Sequence, residues 1–249
     1  TEFMSKTKRE MPFWDHLEEL RWRIIKILAT IVLGGAITYY FSDSILKILV
    51  QPTQNLNIDL NMQVLKVTSM FTVKLSIAIM GGIILGLPVI IYQFWRFVSP
   101  AFEEKHDGGL ILTVLFATVF FMSGLGFAYY IIIPFSLSFF TSLTSETVIV
   151  NYNFTLDGYL TYTLWLIFAC GLVFQLPVVA LFFTKIGLLT PPFLRHYRKY
   201  AFVAFLIVGA FLTPPDPLSQ LLIVIPLVLL YEFSIFISWI FRKKELPSV

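Results

Sequence analysis

Long apolar segments separated by short polar ones dominate the pattern of the chain. There are six, at residues 24–41, 71–98, 109–140, 156–186, 200–213 and 218–241. Because a helix needs roughly 20 apolar residues to cross a bilayer, this pattern predicts six transmembrane helices in an all-α polytopic membrane protein. The predicted boundaries are a tail at 1–12, with the three residues before Met4 interpreted as an expression remnant, a membrane domain at 13–241 and a tail at 242–249.

Proline content and span length predict the shape of the helices. Each of four spans contains a proline, which removes a backbone donor and tends to kink the helix; these are Pro88, Pro134, Pro177 and Pro226. We therefore expect a kinked, curved bundle. The fifth span is short, because its 14 residues make about 21 Å of helix against about 30 Å of hydrocarbon.

An amphipathic helix is expected over residues 13–24, leading into the first span. Its apolar stripe at helical spacing consists of Phe13, Leu17, Leu20 and Ile24. Asp15, Glu19 and Arg23 share another face. One interpretation of Glu19 is a pair with Arg23 at i,i+4, which stabilises a helix by roughly 0.2–0.5 kcal/mol. Three acids, Asp15, Glu18 and Glu19, crowd a single turn. The other interpretation of Glu19 is therefore a site that receives a basic ligand.

The longest loop, at residues 42–70, follows the first span. Residues 44–50 within it favour a short surface helix that Pro52 would stop.

Composition narrows the class of protein. Hydrophobic residues make up 57% of the 249 residues and charged residues only 13%, and the mean hydropathy is +0.82. An average soluble domain has about 25% charged residues. This composition excludes an ordinary soluble enzyme, a disordered chain and a nucleic-acid-binding module. The single cysteine, Cys170, allows no internal disulfide.

The positions of the charges predict the orientation. With six spans, 15 of the 18 lysines and arginines fall on the side of the two termini. Short basic loops stay in the cytoplasm, so both termini are expected there. The loop between spans two and three adds an acidic group, Glu103, Glu104 and Asp107, to this basic side.

Three polar side chains lie inside predicted spans, where they need a partner or a wet cavity. Gln93 is near the end of span two. Gln175, just before Pro177, is interpreted as a helix–helix hydrogen bond. Glu232 lies ten residues before Arg242, about 15 Å into the membrane, and is expected to be protonated or hydrogen-bonded.

No enzyme or metal signature is present in the sequence. His16-Leu17-Glu18-Glu19 begins like a metalloprotease helix, but Leu20 stands where the second histidine is required. The three histidines have no metal-site spacing, so no catalytic residue, metal or cofactor is expected.

Motifs spread over most of the chain resemble the TatC family, the multi-spanning subunit of the twin-arginine protein translocase. They are His16-Leu17-Glu18-Glu19-Leu20-Arg21, the segment from Pro88 to Phe97 (PVIIYQFWRF), Ser99-Pro100-Ala101, Phe127-Ala128-Tyr129, Phe174-Gln175-Leu176-Pro177, Thr213-Pro214-Pro215-Asp216, Ser219-Gln220 and Tyr231-Glu232. The resemblance implies a receptor in the bacterial inner membrane. This receptor would bind signal peptides with two consecutive arginines and export folded proteins using the proton-motive force.

The resemblance also implies where the signal peptide binds. Glu19 matches the family's signal-contacting glutamate, and Arg21, Gln93 and Phe97 lie in the matching motifs and are assigned to the same site. The family's second glutamate, in a P-x-L-x-x-H-E pattern, has no exact counterpart, because counting from Pro100 places His106 there. The alternatives for that charge stay open; they are Glu103, Glu104 and Asp107.

The remaining implications concern partners. Thr213, Asp216 and Gln220 match the region where the single-span proteins TatA and TatB dock, and Pro52 is assigned to the loop after span one. The expected partners are signal peptides, TatA- and TatB-type proteins, the lipid bilayer and further copies in a multimer. The alternative function is a proton-coupled transporter of a cationic solute that uses Glu232. An intramembrane enzyme lacks a catalytic pair.

Overall fold

The computed structural model describes residues 13–54, 61–98, 107–142, 153–212 and 217–241, and nearly all of them are helical. The elements in chain order are α1 (Phe13–Tyr40), α2 (Ser42–Gln54), β1 (Asn61–Gln63), α3 (Ser69–Val98), α4 (Asp107–Phe127), a π-helical segment (Ala128–Ile132), α5 (Ile133–Ser142), β2 (Asn153–Thr155), α6 (Leu156–Val173), α7 (Leu176–Lys185), α8 (Pro191–His196), α9 (Arg198–Leu212) and α10 (Pro217–Phe241). The predicted helical character is confirmed.

Four helical stretches among the described residues are long and apolar enough to span a membrane. They are Ser69–Val98, Leu110–Ser142, Leu156–Lys185 and Gln220–Phe241. A fifth candidate is the pair His16–Tyr40 and Ser42–Thr53, which bends by 75°. Helix α9 has only 15 residues, as short as expected. The count of six spans and their orientation stay predictions.

Two of the four prolines coincide with breaks in their helices. Pro134 follows the π-helical segment, and Pro177 follows the turn that separates α6 from α7. A missing N–H and a bulky ring favour such interruptions. Pro88 and Pro226, by contrast, lie inside continuous helices, α3 and α10.

Helices α1 and α3 pack closely because glycines face each other where they cross. A Cβ added at Gly82 would lie 2.4 Å from the carbonyl oxygen of Ile31 and 2.8 Å from the backbone nitrogen of Gly35. One added at Gly34 would lie 3.1 Å from the carbonyl oxygen of Gly82. Small residues let transmembrane backbones approach in this way.

The core centres on α6 and the π-helical segment. Half of the most apolar part of Leu156–Lys185 is buried, a larger share than in the other candidate spans. Fully buried side chains in these two elements include Leu160, Leu166 and Ile132, and Ile133 at the start of α5 is fully buried as well. Many large apolar side chains elsewhere are exposed, which is typical of helices that face lipid.

The prediction that Pro52 stops a short helix at residues 44–50 is wrong. The helix begins at Ser42 and extends past Pro52 to Gln54, so this buried proline lies in the last turn and does not stop the helix. Proline has no N–H to donate to the carbonyl four residues earlier. The hydroxyl of Tyr129 donates to that carbonyl, Ile48 O, at 2.7 Å, and the Tyr159 hydroxyl donates to Leu49 O at 2.8 Å. Two distant tyrosines therefore hold the end of α2.

A small parallel sheet was not predicted. β1 pairs with β2 in the register Asn61 to Asn153, Met62 to Phe154 and Gln63 to Thr155. Strands of three residues are too short to show the alternating pattern by which strands are recognised. The pairing joins the segment before α3 to the segment before α6.

We expect Gly82→Ala to lower the thermal unfolding midpoint of the purified protein. The added methyl would meet backbone atoms of α1, and overpacking of this kind costs about 1–3 kcal/mol. Gly126→Ala is the matched control, because a Cβ there meets nothing within 4 Å. Equal midpoints for the two variants would show that α1 and α3 are not tightly packed.

We expect Tyr129→Phe to destabilise the protein by about 1 kcal/mol, because the Ile48 carbonyl loses its side-chain donor. Tyr130→Phe is the control, since the neighbouring Tyr130 is 76% exposed. The loss should shrink in a Pro52→Ala background, which restores a backbone donor to Ile48. An unchanged loss in that background would contradict this account of the carbonyl. The readout is the thermal unfolding midpoint.

Candidate functional site

One end of the bundle gathers the start of α1 and the ends of α3, α7 and α10. We call it the Glu19 end. Arg23 of α1 contacts the last turns of α3, and the Lys185 ammonium at the end of α7 lies 5.9 Å from the ring centres of both Trp95 and Phe241. Helix α8 joins through the Tyr231 hydroxyl, which donates to Leu194 O at 2.8 Å. Polar side chains from separate parts of the sequence therefore meet here.

Glu19 is the central carboxylate of this end. Arg23 donates to its Oε1 through Nε at 3.1 Å and also through Nη2. The other oxygen, Oε2, is buried and has no hydrogen-bond partner among the described residues. The ring nitrogen Nδ1 of His16 lies 3.8 Å from Oε2. The pair with Arg23 expected from the spacing is confirmed, but it uses only one of the two oxygens.

Arg23 also binds the end of α3. Its Nη1 donates to the side-chain Oε1 of Gln93 at 3.1 Å and to the carbonyl of the same residue at 3.5 Å, and its Nη2 donates to Arg96 O at 3.3 Å. A cation next to the last carbonyls of a helix is favoured by the helix dipole. Only 11% of the Arg23 side chain is exposed. Arg23 thus joins α1 to α3 at the level of Glu19.

An aromatic stack forms one wall beside Glu19. The rings of His16 and Phe97 lie 4.3 Å apart and within 14° of parallel. Nearby, the Arg96 guanidinium donates from Nη1 to the Tyr92 hydroxyl at 3.0 Å. The flat faces of the His16 and Phe97 rings suit a planar guanidinium, which packs well on aromatic side chains.

The structure brings together three of the residues assigned to this site from the sequence: Glu19, Gln93 and Phe97. Arg21 is exposed on α1, and residues two apart on a helix do not face each other, so it lies away from Glu19. Asp107 begins α4, but its side chain is outside the described part of the chain. Glu103, Glu104 and His106 lie outside the described residues altogether.

The sequence interpretation missed the role of Arg23 and the contacts of Lys185. The i,i+4 spacing predicts Arg23 only as a helical partner for Glu19, whereas its bonds to α3 cross 70 and 73 positions of the chain. Five donors on one guanidinium were the available signal that it had capacity beyond one carboxylate.

The polar residues inside the spans have partners. Gln175 donates from Nε2 to Ala117 O at 2.9 Å, which confirms the predicted helix–helix hydrogen bond. Glu232 accepts a hydrogen bond from Arg198 at 2.6 Å, and the two side chains are 46% and 50% exposed. Glu232 was expected to be either protonated or hydrogen-bonded, and the structure shows the hydrogen bond.

The proposed docking region is described only in part. Gln220 of α10 donates from Nε2 to Leu206 O of α9 at 2.8 Å. Thr213 and Asp216 lie outside the described residues. Pro52 is part of α2, at the end of the bundle opposite to Glu19. In the described ranges, no group of three His, Cys, Asp or Glu side chains is arranged to hold a metal ion.

Comparison with known proteins identifies similar chains. Residues 15–226 match the family model described as "Sec-independent protein translocase protein (TatC)". A relative from Halalkalibacterium halodurans, named Sec-independent protein translocase protein TatC, is 37% identical over 238 residues, which cover 95% of this chain and 92% of the relative. One of the same name from Aquifex aeolicus is 34% identical over 235 residues, covering 94% and 98%.

Solved structures agree with this similarity. A crystal structure of the twin-arginine translocase receptor TatC aligns with a TM-score of 0.79 at 34% identity, covering 90% of this chain and 98% of that one. A second, of the same receptor in the detergent DDM, aligns with a TM-score of 0.80 at 35% identity and covers 90% and 99%.

Proposed function

The chain belongs to the TatC family, whose members are components of the protein translocase and not enzymes, and on that premise we propose that its Glu19 end receives twin-arginine signal peptides. The observation that supports the proposal most directly is the free Oε2 of Glu19, a buried carboxylate oxygen without a partner among the described residues. A guanidinium can direct two N–H donors at one such oxygen, as Arg23 does at Oε1, whereas the three N–H bonds of an ammonium diverge from a single nitrogen. Discrimination of two arginines from two lysines follows from that difference.

The second arginine needs a second acceptor. The chain that follows α3 carries three acids: Glu103 and Glu104 in the loop and Asp107 at the start of α4. We assign the second contact to this group, with His106 at the position given by the family motif. With Glu19 as the first acceptor and one of these acids as the second, both contacts would lie at the Glu19 end.

We further propose that the Glu19 end is cytoplasmic, with both termini on that side of a bacterial inner membrane. Lys185, Arg198, Arg96 and Arg23 lie at this end, whereas Lys47 and Lys74 lie near the other. Lysine and arginine collect on the cytoplasmic side of membrane proteins, which supports this orientation.

Helices α9 and α10 are the proposed docking surface for single-span TatA- and TatB-type partners. Large apolar side chains of α9 are exposed, including Phe202, Val203, Ile207 and Phe211. The helix has 15 residues, or about 22 Å, so it is shorter than a bilayer of about 30 Å. A polar residue in a partner helix would find Gln220 here, and interhelical hydrogen bonds of this kind assist association. Folded proteins would then cross the membrane where the bilayer is thinned. The proton-motive force would drive their passage, and several copies would form the complex.

The transporter alternative assigned a proton-linked role to Glu232. Glu232 forms an ion pair with Arg198, and each of the two side chains is about half exposed. The pair gives Glu232 a structural role between α9 and α10. We therefore do not retain a second function.

We expect Glu19→Gln to weaken binding of a twin-arginine signal peptide by about 1.5–3 kcal/mol, since a charge-assisted hydrogen bond is lost. The measurement is peptide affinity with purified protein. Normal affinity in the Glu19→Gln variant would place recognition elsewhere.

Joint neutralisation of Glu103, Glu104 and Asp107 should depress export of twin-arginine substrates.

We expect Gln220→Leu to weaken assembly with TatA or TatB more than it weakens signal binding, and cysteines at 213 and 220 to crosslink to the partner's helix. Gln175→Leu is the matched control, because it removes the same kind of amide-to-carbonyl bond between other helices. Co-purification of the partner is the readout. Full assembly of the Gln220→Leu variant would remove α10 from the docking surface.

A further inference from the structure

We propose that Arg23 is a positioning residue of the signal-peptide site: it holds Glu19 by Oε1 and thereby presents Oε2 to one arginine of the signal. The inference rests on the proposed function and adds a residue to it. Arg23 itself does not contact the signal in this arrangement. Its effect passes through the carboxylate.

The position of Arg23 does not depend on Glu19. Three acceptors on α3 hold its guanidinium: the Gln93 side chain at 3.1 Å and the carbonyls of Gln93 and Arg96 at 3.5 and 3.3 Å. With 11% of the side chain exposed, the group is held within the contact between the two helices. The α3 contacts would therefore keep Arg23 in place while a ligand approaches Glu19.

Glu19, in contrast, depends on Arg23. Its side chain is 27% exposed and receives Nε and Nη2 of Arg23 on the same oxygen, Oε1. Without this hold the carboxylate would be free to rotate towards solvent, because glutamate has several rotatable bonds. With it, Oε2 is fixed and buried. Among the described residues Oε2 has no donor, and a buried carboxylate oxygen without one is unfavourable, so the site is organised for a cation before it binds.

The arrangement limits what Glu19 can bind. Because Oε1 is already occupied, an incoming guanidinium reaches Oε2 alone and does not displace Arg23. One signal arginine therefore uses Glu19 and the other requires a different acceptor. This division fits a signal defined by two arginines and not by one.

The test is a double-mutant cycle on the full-length protein in lipid nanodiscs. A fluorescent signal peptide with two arginines, and the same peptide with two lysines, are titrated against wild type, Arg23→Lys, Glu19→Gln and the double variant. We expect Arg23→Lys to weaken the arginine peptide about tenfold through loss of the fork on Oε1, and to lower the preference for arginine over lysine. In the Glu19→Gln background the same change should have less than about a twofold effect, because coupled residues are non-additive.

Lys26→Gln is the matched control, since Lys26 is an exposed cation one turn farther along α1. Thermal unfolding midpoints identify any variant that is simply unfolded. For that case Gln93→Leu is a second variant: it removes one acceptor of Arg23 and leaves Glu19 in place, so it should lower affinity in the same direction and only when Glu19 is present.

The outcomes separate two failures. An unchanged affinity in Glu19→Gln contradicts the proposed function itself. A weakened Glu19→Gln variant together with fully additive Arg23→Lys effects, or tighter binding in Arg23→Lys, overturns the positioning role alone. Tighter binding would mean that Arg23 competes with the signal instead of preparing the site for it.

Discussion

The close contact of α1 with α3 at Gly34 and Gly82 is the constraint on which the site depends. The two helices run antiparallel, and Arg23 precedes Gly34 by as many positions, eleven, as Gln93 follows Gly82. At 1.5 Å per residue both lie about 16 Å from the crossing, on the same side of it. The glycines therefore set the register that brings the Arg23 guanidinium to the last carbonyls of α3. A larger residue at the crossing would separate these groups as well as the backbones.

The other contacts at the Glu19 end hold the end of α3 from its opposite side. Trp95 is 5% exposed and packs on Phe182, with ring centres 5.5 Å apart, while the Lys185 ammonium lies over its ring. The last turns of α3 are thus held between α1 and α7. A receptor that must recognise two side chains on a long peptide benefits from such a rigid frame, because less ordering entropy is lost on binding. At the other end, Tyr129 and Tyr159 hold α2 in a comparable way.

The patterns of the chain predict much of this fold, and the reasons for the omissions are physical. Apolar runs identify long helices because a bilayer imposes a minimum length, and the short α9 was visible for the same reason. The bonds from Arg23 to Gln93 and Arg96 were not visible, because periodicity reports neighbours on one helix and not contacts across 70 residues. Pro52 was expected to end a helix, yet the Tyr129 hydroxyl from a distant span compensates for its missing donor. The hydrogen bond of Gln175 was predicted from a polar residue in apolar surroundings, and the pair of Glu19 with Arg23 from their i,i+4 spacing; both are local signals.

The central claim is that twin-arginine signals bind at the Glu19 end. Site-directed photocrosslinking tests it most directly, with a photoreactive residue placed in turn at positions within 15–23 and 100–108 and, for comparison, at 44 and 48 of α2. The account predicts that a peptide with two arginines crosslinks within the first two segments and that a peptide with two lysines does not. Crosslinks concentrated on α2, or equal labelling by both peptides, would contradict it.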